Sequence, residues 1–260
     1  MIAKKTIETR MFSGTTKGFQ TWYDRVGDKW LANAPTVLNE ETPVRLEYIN
    51  RMVGPVAGLK FLDLGLGGMG TLSNSLARQG ADIIAIDQHD QTLKLAETEA
   101  KRAALPVDFQ IANFKNLPFP DNFFDLVYGF DILEHAGPDM DSWLQEICRV
   151  LKPGGSFIYN MPNRTPISFI MIIIIFERVI KLNPVGHHNF KWFWKPAQFR
   201  AILERNGLLS RDQTGFMNLK PKLIAGLNVL TRQGAPGGFK LGRDFSLVYV
   251  GKADKSISPA

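Results

Sequence analysis

Six residues, Gly65-Leu66-Gly67-Gly68-Met69-Gly70, carry the sharpest chemical signal in the sequence. They fit G-x-G-x-x-G between an apolar, strand-like run and a helical pattern, which lets bare backbone approach a ligand beside the positive end of a helix. Asp87 stands 22 residues after Gly65, at the end of the next apolar run. A carboxylate in that place accepts hydrogen bonds from both ribose hydroxyls of an adenosine. A second group is Asp131, Glu134 and His135. If the segment is helical, these side chains at i, i+3 and i+4 share one face, at the C-terminal end of a predicted fourth strand where open α/β sheets bind ligands. Two carboxylates and an imidazole can hold Mg²⁺ or Zn²⁺, or take a proton from a hydroxyl. The alternative is acids favouring a helix N-terminus beside a capped histidine. His188 and its neighbour His187 are further candidate bases, and Tyr23 with Trp22 a candidate lid over a substrate.

The elements that must position these groups follow from periodicity. Residues 58–65, 81–87, 107–112, 124–130 and 156–161 read as buried strands. Helical patterns at 71–79, at 90–103 and around Trp143, Ile147 and Val150 alternate with them, which argues for a parallel sheet. Lys152-Pro153-Gly154-Gly155 reads as a turn. Pro196 to Asn206 reads as a helix with proline in its first turn and Gly207 behind it. Two further strands are predicted at 208–214 and 245–251, with a loop over 232–244.

The chain has 260 residues, 45% of them hydrophobic and 22% charged, which are globular proportions and exclude a wholly disordered chain. Cys148 is the one cysteine, which excludes an internal disulfide framework and a cysteine-cluster zinc site. The net charge of +6 is dispersed and no nucleic-acid-binding motif is present, so no nucleic-acid partner is expected. The polar, basic start lacks the apolar core of a secretory signal, and the expected setting is the cytoplasm.

Among adenosine cofactors, a dinucleotide calls for a second nucleotide-binding half, and none is visible. Leu151-Lys152-Pro153-Gly154-Gly155 before a strand, with Asp63 two residues ahead of Gly65, resembles the class I methyltransferases that use S-adenosyl-L-methionine (SAM). Pro43 to Ile49, Leu133-Glu134-His135, Asn163-Arg164-Thr165-Pro166 and the run Gly186 to Pro196 follow in the order of the UbiG family, the O-methyltransferases of ubiquinone biosynthesis. The likeness covers about residues 10–253. It implies a Rossmann-like α/β fold with a seven-stranded, mostly parallel sheet and helices on both faces. It implies one methyltransferase domain over 1–260, in which the aromatic-rich 1–40 reads as an N-terminal helical lid and 163–195, which breaks the strand–helix alternation, as an insertion. It places SAM against Asp63, Gly65, Gly67, Gly70, Asp87 and Gln88, with Asn113 and Phe114 flanking adenine, Arg45 on the methionine carboxylate and Phe130 lining the pocket. It also implies a divalent metal at Asp131, Glu134 and His135. The chain departs from the family pattern at Leu66, Met69, Asp131 and Asn189.

From Phe169 to Leu182, a stripe of Ile172, Ile173, Phe176, Val179 and Ile180 is predicted opposite Glu177, Arg178 and Lys181. With Lys191, Lys195, Trp192 and Trp194 nearby, the insertion reads as a peripheral contact with an anionic membrane at its inner face, the other readings being a dimer interface or an active-site cap. The favoured activity is O-methylation of a phenol or catechol on a small lipophilic or prenylated acceptor. Two alternatives stay open: C-methylation of an isoprenyl diphosphate or terpenoid alkene, in which aromatic side chains would face a carbocation, and a non-catalytic SAM- or lipid-binding scaffold.

Overall fold

Apolar runs that end in acids or glycine form the middle of a sheet whose helices cover both faces. The computed structural model describes residues 41–66, 70–179, 183, 185–218 and 239–257. The predicted helices of residues 1–40, with Trp22 and Tyr23, lie outside these, as do Gly67 and most of the 232–244 segment. The strands are β1 (Lys60–Leu64), β2 (Asp82–Asp87), β3 (Val107–Ile111), β4 (Phe124–Gly129), β5 (Leu151–Pro162), β6 (Leu208–Asn218), β7 (Phe239–Gly242) and β8 (Val248–Lys255). Their order across the sheet is β3-β2-β1-β4-β5-β8-β6-β7. From β3 to β5 the pairing is parallel, and β8, β6 and β7 join antiparallel.

Eight strands stand where seven were expected. The extra one, β7, is four residues at an edge, paired with β6 inside the segment predicted as a loop. Two other expectations also shift. The Lys152-Pro153-Gly154-Gly155 run is the opening of β5, where the ladder to β4 skips register between Phe124 and Leu126. The last strand starts at Val248 rather than 245.

Successive residues of one strand serve opposite cores, as the strand period of two requires. Leu62 and Leu64 pack with Trp143 and Ile147 of α4 (Met140–Val150) and with Phe199 and Ile202 of α6 (Pro196–Arg205). Phe61 packs the other way, with Tyr48 of α1 (residues 41–53), Leu72 and Leu76 of α2 (Thr71–Arg78) and Leu93 and Ala96 of α3 (Asp90–Arg102). Each such large side chain, fully buried, contributes about 1.5–3 kcal/mol relative to exposure.

The 163–195 segment opens with α5, a turn at Pro166–Ser168 that continues as a π-helix over Phe169–Val179. Thr165 and Ser168 cap its start reciprocally. The π-helix keeps Ile172, Ile173 and Phe176 of the predicted stripe on the packed side but not Val179, and it adds Glu177; Ile180 and Lys181 lie outside the described residues. The buried residues of the π-helix are Ile172, Ile173 and Glu177, while Val179 is 54% exposed. Residues 172 and 177 stand one π-helical hydrogen-bonding step apart, i to i+5, so a carboxylate assigned to the outer face by α-helical spacing turns inward. Among the described residues no helix is long and apolar enough to cross a membrane.

Candidate active site

Strand order reverses between β1 and β4, and ligands of such sheets bind at the strands' carboxyl ends beside that reversal. The glycine loop leaves β1 there. Gly65 has φ 81° and Gly70 φ 74°, both in the left-handed region that glycine enters without a side-chain clash. A Cβ on Gly65 would lie 2.9 Å from Ile132 Cγ1, and one on Gly70 would lie 3.2 Å from the Ala96 Cβ. Neither position can carry a side chain without displacing its neighbour.

Asp87, at the end of β2, fixes this loop from below. Its Oδ2 accepts the Leu66 N–H at 3.1 Å and its Oδ1 accepts the His89 N–H at 2.9 Å. Burial pushes its carboxyl up to about 6, against those backbone donors. A carboxylate has about four acceptor positions, so it retains capacity for ribose hydroxyls. Gln88 follows, half-buried. Asp63 accepts the Ser73 hydroxyl of α2, and Ser73 lies 2.9 Å from the Tyr128 hydroxyl. Asp63 thus ties the loop's two flanks together, and burial raises its carboxyl to about 7. Asn113 is exposed, with Oδ1 accepting the Lys115 N–H at 2.9 Å. Phe114, expected beside adenine, is buried in the core with its ring edge-on to Trp143 at 4.9 Å.

Arg45 comes from α1, far away in sequence. It is 3% exposed and ion-paired with Glu41 and Asp131, and its guanidinium carbon lies 4.9 Å from the centre of the Phe130 ring. Its Nε is buried without a hydrogen-bond partner. That orphaned donor, together with the Gly65–Gly70 cradle, fits the methionine end of SAM, since a carboxylate would satisfy a group that is otherwise costly to bury.

The loop after β4 differs from its sequence reading. Asp131 has φ 55° and so breaks the helix that would have aligned it with Glu134 and His135. A 3₁₀ turn at Leu133–His135 follows. The strained Asp131 backbone is held by Asn160 of β5, whose Oδ1 accepts the Asp131 N–H at 2.7 Å and whose Nδ2 donates to Asp131 Oδ1 at 2.5 Å. Asn160 has no motif around it, and nothing in the sequence marks it. Glu134 is 3% exposed and its Oε2 has no partner. Burial, reinforced by the Asp131 charge, raises its carboxyl to about 8.

Asp131, Glu134 and His135 do not assemble as a metal-ligand set. Asp131 is committed to Arg45 and Asn160, and His135 turns instead towards His187 and His188, with ring centres 4.8 and 5.5 Å away. Those three histidines are the one group of metal-capable side chains that the described residues bring together. Burial lowers His135 to about 3, with His188 contributing, and holds His187 well below the usual imidazole range.

The family described as methyltransferase domain matches residues 62–159. The ubiquinone biosynthesis O-methyltransferase of Xanthomonas axonopodis pv. citri (strain 306) is 36% identical over 190 residues, 72% of this chain and 78% of that one. Its namesake from Xylella fastidiosa (strain 9a5c) is 35% identical over 212 residues, 80% of each. Among solved structures, magnesium protoporphyrin IX methyltransferase from Synechocystis PCC 6803 with bound SAH superposes with a TM-score of 0.61 at 19% identity, covering 97% of this chain and all of that one. The [4+2]-cyclase SpnF superposes at 0.58 and 19% identity, covering 82% and 80%. At such identities these structures speak for the fold, and a cyclase among them shows that the fold alone does not name the reaction. The sequence relatives go further: the chain belongs to the UbiG family of ubiquinone biosynthesis O-methyltransferases and is a SAM-dependent class I methyltransferase.

Proposed function

We propose that this chain transfers the methyl group of SAM to a phenol or catechol oxygen on a lipophilic, prenylated acceptor. The observation that carries the reading is Glu134, a buried carboxyl with an unpartnered Oε2 on the loop leaving β4, beside the Arg45–Asp131 pair. When bound, SAM supplies an electrophilic methyl on a sulfonium, open to in-line displacement. Arg45 holds the methionine carboxylate through Nε, and Asp87 holds the ribose hydroxyls. Fixing the donor this way leaves the acceptor oxygen to be aligned, which is where most of the rate gain lies. A phenol with a pKa of about 10 stays protonated near neutral pH, so its proton must leave as the oxygen attacks. Glu134 Oε2 accepts that proton in its ionised form, for which the raised pKa makes it a stronger base. SAM bound there would supply the methyl to the acceptor oxygen, its C–S electron pair staying with sulfur.

The lipophilic side of the reading rests on α5 and its sequel. Ile167, Phe169, Ile170, Val179 and Val185 are exposed, with Ile170 52% accessible. Lys191, Lys195 and Arg200 are exposed close behind in sequence. Apolar side chains flanked by cations suit a peripheral contact with an anionic membrane, through which a prenylated substrate would arrive. The named relatives act in ubiquinone biosynthesis, which fits a substrate of that class.

The test is SAM-dependent turnover followed by mass spectrometry, with a prenylated catechol and an isoprenyl diphosphate offered in parallel. A gain of one methyl on the catechol, abolished in Glu134→Gln, is the expected result. A methylated diphosphate with an unchanged catechol would overturn the reading in favour of C-methylation.

A further inference from the structure

We propose that His135, His187 and His188 form a binding site for a divalent transition metal of the zinc class, with Glu177 as the outer carboxylate that orients it. One ring nitrogen from each histidine lies within 4.8 Å of the other two. The ring centres of His187 and His188 are 4.5 Å apart. A tetrahedral zinc with Zn–N bonds of about 2.0–2.1 Å needs its nitrogens about 3.3 Å apart, so side-chain rotations that draw them in by about 1.5 Å complete the site.

Glu177 is the feature that separates this cluster from a chance crowding of imidazoles. It is 1% exposed on the inner side of the π-helix, and its neighbours are the histidine turn. Its Oε1 lies 3.0 Å from His188 Nδ1 and also accepts the His188 N–H at 2.8 Å, while its Oε2 accepts the Gly186 N–H at 2.8 Å. With Nδ1–H donated to a carboxylate, the His188 lone pair sits on Nε2, the tautomer that metal-binding histidines adopt when a carboxylate backs them. The π-helix sets that carboxylate in line with Ile172 and Ile173, where α-helical spacing would put it at the edge of the buried face.

The donor set also selects the metal. Three imidazoles suit zinc, cobalt or nickel, whereas magnesium wants oxygen ligands in near-octahedral geometry. Three protein ligands leave a fourth position for water or another oxygen. The carboxylate set of Asp131 and Glu134 with His135 is thereby replaced, not extended, since Asp131 already neutralises Arg45.

The untagged full chain is stripped with a chelator, loaded with zinc alone, passed through gel filtration and assayed for metal. One zinc per chain is expected to be retained. Cobalt in its place should give the intense visible bands of a tetrahedral site, a readout that needs no variant. His187→Ala and His188→Ala should lose the metal while keeping the wild-type circular dichroism spectrum. Glu177→Gln should weaken zinc binding about 10–100-fold. Asp131→Asn should retain it. Zinc well below one per chain in the wild type, octahedral cobalt bands, or full retention in folded His187→Ala would overturn the proposal. Loss of zinc in folded Asp131→Asn would also overturn it and move the site to the carboxylates.

Discussion

The donor side of this protein, Arg45 aside, is built from one run of chain, residues 63–87, in which Asp63 accepts from Ser73, Asp87 from the Leu66 N–H and Ile86 from the Gly65 N–H, contacts fewer than 25 residues long. The acceptor side is assembled from three places. Asp131, Glu134 and His135 after β4, Asn160 of β5, and Glu177 with His188 around the α5 segment meet there across separations of up to 53 residues. The difference teaches that the two halves fail differently. A lesion on the donor side acts on one loop and shows as lost cofactor affinity. A lesion on the acceptor side leaves the cofactor in place and shows in the chemistry.

Four substitutions or conditions sharpen that contrast. Glu134→Gln should reduce turnover by about 10²–10⁴-fold, the usual range for a removed general base, with SAM affinity by calorimetry little changed. Equal losses in both would merge the two halves into one. Asp87→Ala should weaken SAM binding about 10²–10⁴-fold, because it removes two charge-assisted bonds worth about 1.5–3 kcal/mol each and frees the Leu66 and His89 amides. The cofactor should also leave with acid. Asp87 accepts ribose hydroxyls as a carboxylate, and burial raises it to about 6, so SAM affinity should fall about tenfold per pH unit below that point and level off above it. An affinity flat from pH 5 to pH 8 would remove Asp87 from the ribose. The smallest effect is expected at the surface: Ile170→Glu should lower co-sedimentation with anionic vesicles several-fold while turnover on a water-soluble catechol stays at the wild-type level. Unchanged sedimentation would place the exposed side chains of α5 away from lipid.

The same division explains what could be read without coordinates. The glycine loop, Asp87 and strands β1 to β4 were legible because each is a local pattern: an apolar run, a turn residue, an acid at a strand end. The site around Asp131 was not. Its three candidate ligands were grouped by α-helical spacing, and one residue, Asp131 at φ 55°, breaks that spacing because Asn160 holds it from 29 positions away. A period of 3.6 sets Glu177 beside the buried stripe rather than in it for a related reason, since the segment winds more loosely. The short edge strand β7 carries too few residues between glycines to show a period of its own. Phe114 sits at the expected position after β3, yet its ring serves the core against Trp143.

The looser winding of α5 has an evolutionary consequence. A π-helix contains a residue that the equivalent α-helix lacks. Deleting one residue such as Ile174 would bring Glu177 to four positions after Ile172, one α-helical turn, so the segment would rewind as an α-helix with the carboxylate still facing inward. One lost codon here therefore changes how the helix winds without moving Glu177 off its face, while the cofactor loop encoded a hundred residues earlier stays the same.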